Sequence, residues 1–171
     1  MDYAINKPKK IIVHHTADAS NQEQFQKINE YHKQKWGAQS QLGYYVGYHY
    51  LIEKNGVVVQ TRIEEEEGVH CQGQNCDSIG IAVAGNFDIQ MPTANQVVSL
   101  CKLIDYLIKK WQIPPNDIFP HRKFKPTSCY GLKLSDEWAG EQYRHYLLET
   151  LVHLIILIKA YGEKFKQFFQ K

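Results

Sequence analysis

The sequence predicts an α/β fold in which a central mixed β-sheet is flanked by helices. Short β-branched runs alternate along the chain with longer stretches whose apolar residues recur at helical spacing, an arrangement typical of a sheet covered by helices. An Asn-Gly pair between two of the runs marks a β-hairpin, so those two strands are expected to be antiparallel. At 171 residues, the chain is long enough for one domain with a sizeable core and short for two.

The first part of the chain predicts a strand followed by a helix. Residues 11–14 form a β-branched run, which predicts a buried strand. Ser20 and Glu23 match a capping box, so a helix is expected to follow them and to end near Gly37. The buried face of this helix is expected to carry Phe25, Ile28, Tyr31 and His32.

The middle of the chain predicts three strands and a second helix. Residues 47–53 and 57–62 predict the two strands of the hairpin, and residues 79–84 predict a further strand. Thr93 and Gln96 match a second capping box. The helix that follows them carries a long apolar face formed by Val97, Leu100, Leu103, Ile104, Leu107 and Ile108.

The last part of the chain predicts a short extended segment and a long helix. A proline pair stops the second helix, and the extended segment after it ends at His121. A last helix is expected from near Ser135 to about Tyr161. We expect residues 1–145 to form the functional domain and residues 146–171 to form a helical extension of that same domain.

Charge, terminal sequence and cysteines limit the class of protein. A net charge of +2 is too small to indicate nucleic-acid binding, so no nucleic-acid partner is expected. The first residues, Met-Asp-Tyr-Ala, lack the pattern of a signal peptide, and the chain is expected to be cytoplasmic at synthesis. Reduced thiols are therefore favoured. A second metal site or a local disulfide remain alternatives for His70, Cys71 and Cys76.

Three residues far apart in sequence form a candidate metal site. His14, His121 and Cys129 each stand where a predicted strand, or the loop that leaves it, should end. Two neutral imidazoles and one thiolate match the three protein ligands of a catalytic zinc, which keeps one position open. A structural zinc site would need four ligands, and the alternative without metal is a set of ordinary hydrogen-bonded side chains.

Five motifs in order carry a resemblance to a known family. They are Ile12-Val13-His14-His15-Thr16-Ala17, Val46-Gly47-Tyr48-His49-Tyr50, Asn75-Cys76-Asp77-Ser78-Ile79-Gly80-Ile81, His121-Arg122 and Thr127-Ser128-Cys129. Over residues 9–145 the chain resembles the zinc-dependent N-acetylmuramoyl-L-alanine amidases, a family that includes phage T7-type lysozymes and the peptidoglycan recognition proteins. It departs from the family at Tyr130, where a proline usually follows the cysteine.

The resemblance implies a role for each candidate residue. It makes His14, His121 and Cys129 the ligands of one Zn²⁺, and it matches Tyr48 and Thr127 to catalytic positions. Tyr48 is expected to donate a hydrogen bond, because a phenol with an ordinary pKa of about 10 is a poor base. His70 falls near a histidine that lines the family's substrate cleft, and His49 is expected to be structural.

The resemblance also implies an activity. The expected reaction is hydrolysis of the amide bond between N-acetylmuramic acid and L-alanine in peptidoglycan, as in a phage endolysin that reaches the cell wall after release. A recognition module that binds peptidoglycan without cutting it is one alternative. An amidase that recycles soluble muropeptides is another.

The C-terminal extension carries its own apolar pattern. Leu147, Leu151, Leu154 and Ile158 form a stripe, which favours packing on the domain or on a second copy, as a monomer or a weak homo-oligomer. The alternative is a helix that lies on a membrane surface, suggested by a basic and aromatic end. That end consists of Lys164, Phe165, Lys166, Phe168, Phe169 and Lys171.

Overall fold

The computed structural model describes residues 4–169, and for residues 162–169 it describes the backbone alone. Within these residues the structure contains five strands, three α-helices and one 3₁₀ turn. The elements are, in chain order, β1 (Lys10–His15), α1 (Phe25–Trp36), β2 (Tyr50–Ile52), β3 (Val58–Gln60), β4 (Ser78–Val83), α2 (Ala94–Trp111), β5 (Ile118–Pro120), the 3₁₀ turn (His121–Lys123) and α3 (Trp138–Phe169).

The five strands form one mixed sheet, as predicted, in the order β3-β2-β4-β1-β5. β2, β4, β1 and β5 run parallel to one another, and β3 runs antiparallel to β2. Val13 of β1 pairs with Pro120 of β5. Because parallel strands end at the same edge of a sheet, the next residues along each strand, His14 and His121, come together there.

The core lies between the sheet and α2. Neighbouring residues of a strand point to opposite faces, so Val13 points into this core and His14 points to the other face. The first turns of α3 close the core at Trp138, Ala139 and Tyr143. The core side chains of the central strands and α2 include Ile11, Val13, Ile79, Ile81, Val83, Leu100, Leu103, Ile104 and Leu107.

The predicted start of α1 is wrong. The helix begins at Phe25, and its N-cap residue, Gln24, makes no capping hydrogen bond with its side chain. The carboxylate of Glu53 accepts hydrogen bonds instead, from the backbone N–H of Gln24 at 2.9 Å and of Phe25 at 2.8 Å. Tyr31, predicted to be buried, is 53% exposed. The helix ends as predicted at Gly37, whose φ of 62° places it in the left-handed region.

The capping box at Thr93 and Gln96 is confirmed, whereas the hairpin strands are shorter than predicted. Tyr48 and His49 lie in the bend before β2, so their prediction as strand residues is wrong. His49 is fully buried, and its ring nitrogens pair with Gly80 N at 3.0 Å and Glu66 O at 2.8 Å. These contacts agree with the structural role expected for His49.

The last helix begins three residues later than predicted and crosses the expected boundary between residues 145 and 146. Its side chains from residue 147 to residue 161 are exposed, so the expectation that the segment packs on the domain is wrong for these residues. Among the described residues, none of the helices combines the length and the apolar character that a membrane span requires. The basic and aromatic end proposed from the sequence lies outside the side chains that the structure describes. The exposed apolar side chains are Leu147, Leu148, Leu151, Val152, Leu154, Ile155, Ile156, Leu157, Ile158 and Tyr161.

Candidate metal centre

The three predicted ligands converge at one edge of the sheet. His14 lies near the end of β1, His121 opens the 3₁₀ turn after β5, and Cys129 follows in the next loop. Their ligand atoms all lie within 4.8 Å of one another. Nδ1 of His14 is 3.7 Å from Sγ of Cys129, and the rings of His14 and His121 are 4.5 Å apart between centroids.

This geometry fits a zinc ion. With Zn–N of about 2.0–2.1 Å and Zn–S of about 2.3 Å, a tetrahedral site separates a nitrogen ligand from a sulfur ligand by about 3.6 Å. The separation of 3.7 Å between His14 and Cys129 is close to that value. In the part of the chain that the structure describes, this is the one group of His, Cys, Asp and Glu that could hold a metal. Three donors leave a fourth position open, as in a catalytic site.

Burial determines the protonation of the ligands. It lowers the pKa of His14 well below its ordinary value, and the nearby His70 lowers that pKa further. Burial also lowers the pKa of His121. Both imidazoles are therefore neutral at neutral pH, the form that binds metals. Burial raises the pKa of the Cys129 thiol to about 12, so this thiol needs a bound cation to become a thiolate.

Arg122 holds the loop that presents Cys129, a role that sequence reasoning missed. Its backbone N–H donates to Cys129 O at 2.7 Å, and its guanidinium donates to Gly131 O at 2.7 Å and Leu134 O at 2.6 Å. The same guanidinium pairs with Asp136 at 2.5 Å. The His-Arg pair is visible in the sequence, but nothing there shows which carbonyl groups the arginine reaches.

The ring of Tyr48 lies beside the predicted ligand His14. Its ring centroid is 5.0 Å from that of His14, and the ring of His32 lies 5.6 Å away from it on α1. Burial raises the pKa of the Tyr48 phenol above its ordinary value of 10, and the nearby Cys129 raises it further. The phenol therefore keeps its proton, and it is suited to donate a hydrogen bond rather than to act as a base.

The other two candidate residues, Thr127 and His70, each contact one of the predicted ligands. Thr127 is exposed, and its Oγ1 accepts a hydrogen bond from Cys129 N at 3.2 Å, so it braces the backbone of a ligand. His70 is 8% exposed, and its Nδ1 lies 3.0 Å from Nε2 of His14. Contact between His70 and substrate stays a prediction.

Two other sequence features have clear structural outcomes. All four cysteines are free in the structure, and the reduced state of Cys71 and Cys76 stays a prediction. Tyr130 is buried where the family usually has proline, its peptide bond with Cys129 is cis, and its hydroxyl donates to Ser135 O at 2.8 Å. The change from proline leaves Cys129 beside the other two ligands.

Comparisons with known proteins agree with this fold and identify a family. The N-acetylmuramoyl-L-alanine amidase family model matches residues 5–132. The structure of N-acetylmuramoyl-L-alanine amidase LysC from Clostridium intestinale URNW is similar, with a TM-score of 0.70 and 32% identity, covering 84% of this chain and 93% of that one. The Ph2119 endolysin from Thermus scotoductus MAT2119 bacteriophage Ph2119 has a TM-score of 0.67 and 26% identity, covering 82% and 89%.

A curated relative is also similar over most of its length and most of this chain. Peptidoglycan-recognition protein 2 from Holotrichia diomphalia is 25% identical over 150 residues, which are 82% of this chain and 78% of the relative. The family match covers most of the chain and includes the predicted ligands His14, His121 and Cys129. The chain therefore belongs to the N-acetylmuramoyl-L-alanine amidase family.

Proposed function

We propose that the protein is a zinc-dependent amidase that cleaves the bond between N-acetylmuramic acid and L-alanine in peptidoglycan. The observation that carries this proposal is the convergence of His14, His121 and Cys129 in a three-ligand arrangement with an open position. Family membership supports the substrate class. The similarity to an endolysin supports a lytic role on the cell wall.

The residues of the site have distinct tasks in this reaction. His14, His121 and Cys129 would hold the zinc, which would supply Lewis-acid chemistry when bound. Tyr48 keeps its phenol proton and donates a hydrogen bond toward the carbonyl oxygen as negative charge develops there. Thr127 braces the Cys129 backbone and offers a second hydroxyl. Hydrolysis breaks the amide C–N bond, adds the oxygen of water to the carbonyl carbon and gives a proton to the departing amine.

A peptidoglycan-recognition module without catalysis is the second candidate function. The similarity to Peptidoglycan-recognition protein 2 favours it. The free Cys129 in the ligand set favours catalysis, because binding a glycopeptide needs no metal-bound thiolate. An amidase of soluble muropeptides would share every feature of the site and would differ only in the substrates that it accepts.

Metal analysis combined with turnover tests the proposal. The purified protein should bind about one zinc and release peptide stems from bacterial sacculi. The Cys129→Ala variant should lose both properties, whereas Cys76→Ala, which alters an exposed cysteine outside the site, should keep them. Normal digestion by Cys129→Ala would contradict the mechanism. Loss of turbidity from whole sacculi, against cleavage of soluble fragments alone, separates the lytic role from the recycling role.

The exposed apolar stripe on α3 suggests that this helix contacts another molecule. We infer that Leu147, Leu151, Leu154 and Ile158 form a weak contact with a second copy of the chain. Their spacing of four, three and four residues is typical of helices that pair along a seam. They are 39%, 52%, 52% and 62% exposed in the single chain. Contact with a membrane surface is the alternative.

A further inference from the structure

A buried histidine contacts the side of His14 that faces away from the metal centre. Nδ1 of His14 faces Sγ of Cys129 at 3.7 Å, and Nε2 of the same ring lies 3.0 Å from Nδ1 of His70. His14 is 1% exposed and His70 is 8% exposed, so bulk water does not compete for this contact. A buried N–H without an acceptor costs about 1–3 kcal/mol, which makes the partner of Nε2 important.

The direction of the hydrogen bonds follows from the ligand set. A histidine binds zinc through an unprotonated nitrogen, so with zinc on Nδ1 the proton of His14 would be on Nε2. Nδ1 of His70 is then an acceptor, and the proton of His70 is on Nε2, which lies 3.4 Å from Oγ of Ser78. Ser78 donates in turn to Gln74 O at 2.6 Å. The series ends on a backbone carbonyl, which can only accept.

Two glycines leave the space that the His70 ring occupies. A Cβ atom at Gly80 would lie 2.5 Å from Cγ of His70, and one at Gly68 would lie 2.4 Å from Cδ2. Only glycine at these two positions leaves room for the imidazole. Oδ1 of Asn75 accepts hydrogen bonds from the backbone N–H of His70 at 3.0 Å and of Cys71 at 2.8 Å. The ring and the backbone of His70 are therefore both fixed against His14.

We propose that His70 is a positioning residue that fixes the tautomer and the orientation of His14 as a zinc ligand. Outer partners of this kind set the ring angle and the basicity of metal-bound histidines, and their loss typically weakens metal binding 10–100-fold. In this role His70 acts through its contact with His14. The inference rests on the proposed function in that it takes His14 to be a zinc ligand.

A matched pair of substitutions tests the proposal through zinc affinity, measured by competition with a chelator. His70→Leu removes the acceptor and should raise the zinc Kd about 10–100-fold. His70→Asn also removes the imidazole, but its Oδ1 stands where Nδ1 stands, and its Kd should return to within about threefold of wild type. A wild-type Kd for His70→Leu, or equal losses in the two variants, would overturn the proposal.

Nitrogen-detected NMR of the zinc-loaded wild type tests the same proposal without any variant, and it decides the case if His70→Leu does not fold. His70 should show a protonated Nε2 and an unprotonated Nδ1. The opposite tautomer would overturn the proposal.

Neither measurement depends on turnover. If the wild type binds zinc with these tautomers and cleaves no amide, the proposed function fails alone. If it cleaves peptidoglycan and His70→Leu binds zinc normally, the positioning role fails alone, and a wild type that binds no zinc contradicts both.

Discussion

Tyr48 is the residue at the metal centre whose contribution can be separated from metal binding. Its protonated phenol stands beside His14, and it is not one of the three converging ligands. We expect Tyr48→Phe to keep about one bound zinc and to lower kcat about 100- to 1,000-fold, as loss of a donor to a developing oxyanion does. Steady-state kinetics on a soluble muropeptide, together with metal analysis, check this expectation.

A second tyrosine provides the control. Tyr106 is 48% exposed on α2, the helix that packs against the opposite face of the sheet from His14. Tyr106→Phe should therefore have the wild-type kcat. If Tyr48→Phe keeps the wild-type kcat as well, the phenol does not take part in the reaction.

At the residue scale, the sequence predicted which three side chains converge, but it did not predict what supports them. His14 and His121 follow paired strands, and the edge of a parallel sheet brings such residues together. The place of His70 depends instead on a slot left by Gly68 and Gly80, which belong to different segments of the chain. No local pattern shows that two glycines will face the same ring.

At the element scale, α1 depends on a carboxylate from another part of the chain. Glu53 is 3% exposed, and it accepts three hydrogen bonds from the backbone N–H groups of Gln24 and Phe25. A negative charge at a helix N-terminus also interacts favourably with the helix dipole. We expect Glu53→Ala to lower the free energy of unfolding by about 1–3 kcal/mol, measured by urea denaturation.

The matched control is Glu23→Ala, which alters the residue that the sequence pattern placed in a capping box. Glu23 is exposed and lies before the helix, so its removal should change the free energy of unfolding by less than about 0.5 kcal/mol. If Glu23→Ala lowers the free energy of unfolding more than Glu53→Ala does, the local capping box, and not Glu53, caps the helix.

The two predicted capping boxes show why one helix start was predictable and the other was not. Thr93 and Gln96, which cap α2, are three residues apart, so the local sequence alone predicts their interaction. The cap of α1 comes from Glu53, 29 residues after Gln24. A pattern confined to one turn of helix cannot reveal a partner that only the folded sheet supplies.

At the scale of the whole molecule, buried histidines make stability depend on pH. His32 and His49 are 5% and 0% exposed, and burial lowers the pKa of each from 6.5 to about 4. Between about pH 4 and pH 6.5, these histidines bind protons in the unfolded chain but not in the folded chain, so stability falls as the pH drops. Above about pH 6.5 neither form gains protons, and the contribution of these groups to stability is fully present.

Urea denaturation of the metal-free protein at pH 7.5 and pH 5 measures this effect. Each of the two histidines should lower the free energy of unfolding at pH 5 by about 2 kcal/mol relative to pH 7.5. His49→Asn should have a smaller pH dependence than wild type, whatever its own stability. An unfolding midpoint that is equal at both pH values would mean that these imidazoles are not held neutral by burial.

The fold as a whole was predictable because its sheet and α2 are encoded by local patterns. β-branched runs gave β1 and β4, the Asn-Gly turn gave the antiparallel pair, and apolar spacing gave α2. The strand order was not predictable, since β1 lies between β4 and β5, which are distant in sequence. The local sequence of α3 likewise predicts an apolar stripe, but it does not identify the molecule that the stripe contacts.

Removing residues 147–171 tests what that stripe does. The earlier turns of α3 pack into the core at Trp138 and Tyr143, whereas the removed segment has exposed apolar side chains. The truncated chain should therefore keep its zinc content, its turnover and its thermal midpoint. In sedimentation, the full chain should show concentration-dependent association, and the truncated chain should remain a monomer.

A point variant tests whether the stripe itself, and not another part of the helix, forms the contact. Leu154→Glu places a charge at the centre of the stripe and should abolish association, because a buried unpaired carboxylate opposes the contact. Glu149→Gln, a control on the same segment but outside the stripe, should associate like wild type. If both variants associate normally, the stripe is not the contact. Leakage of anionic vesicles by the full chain, lost in the truncated chain, would instead favour the membrane surface as its partner.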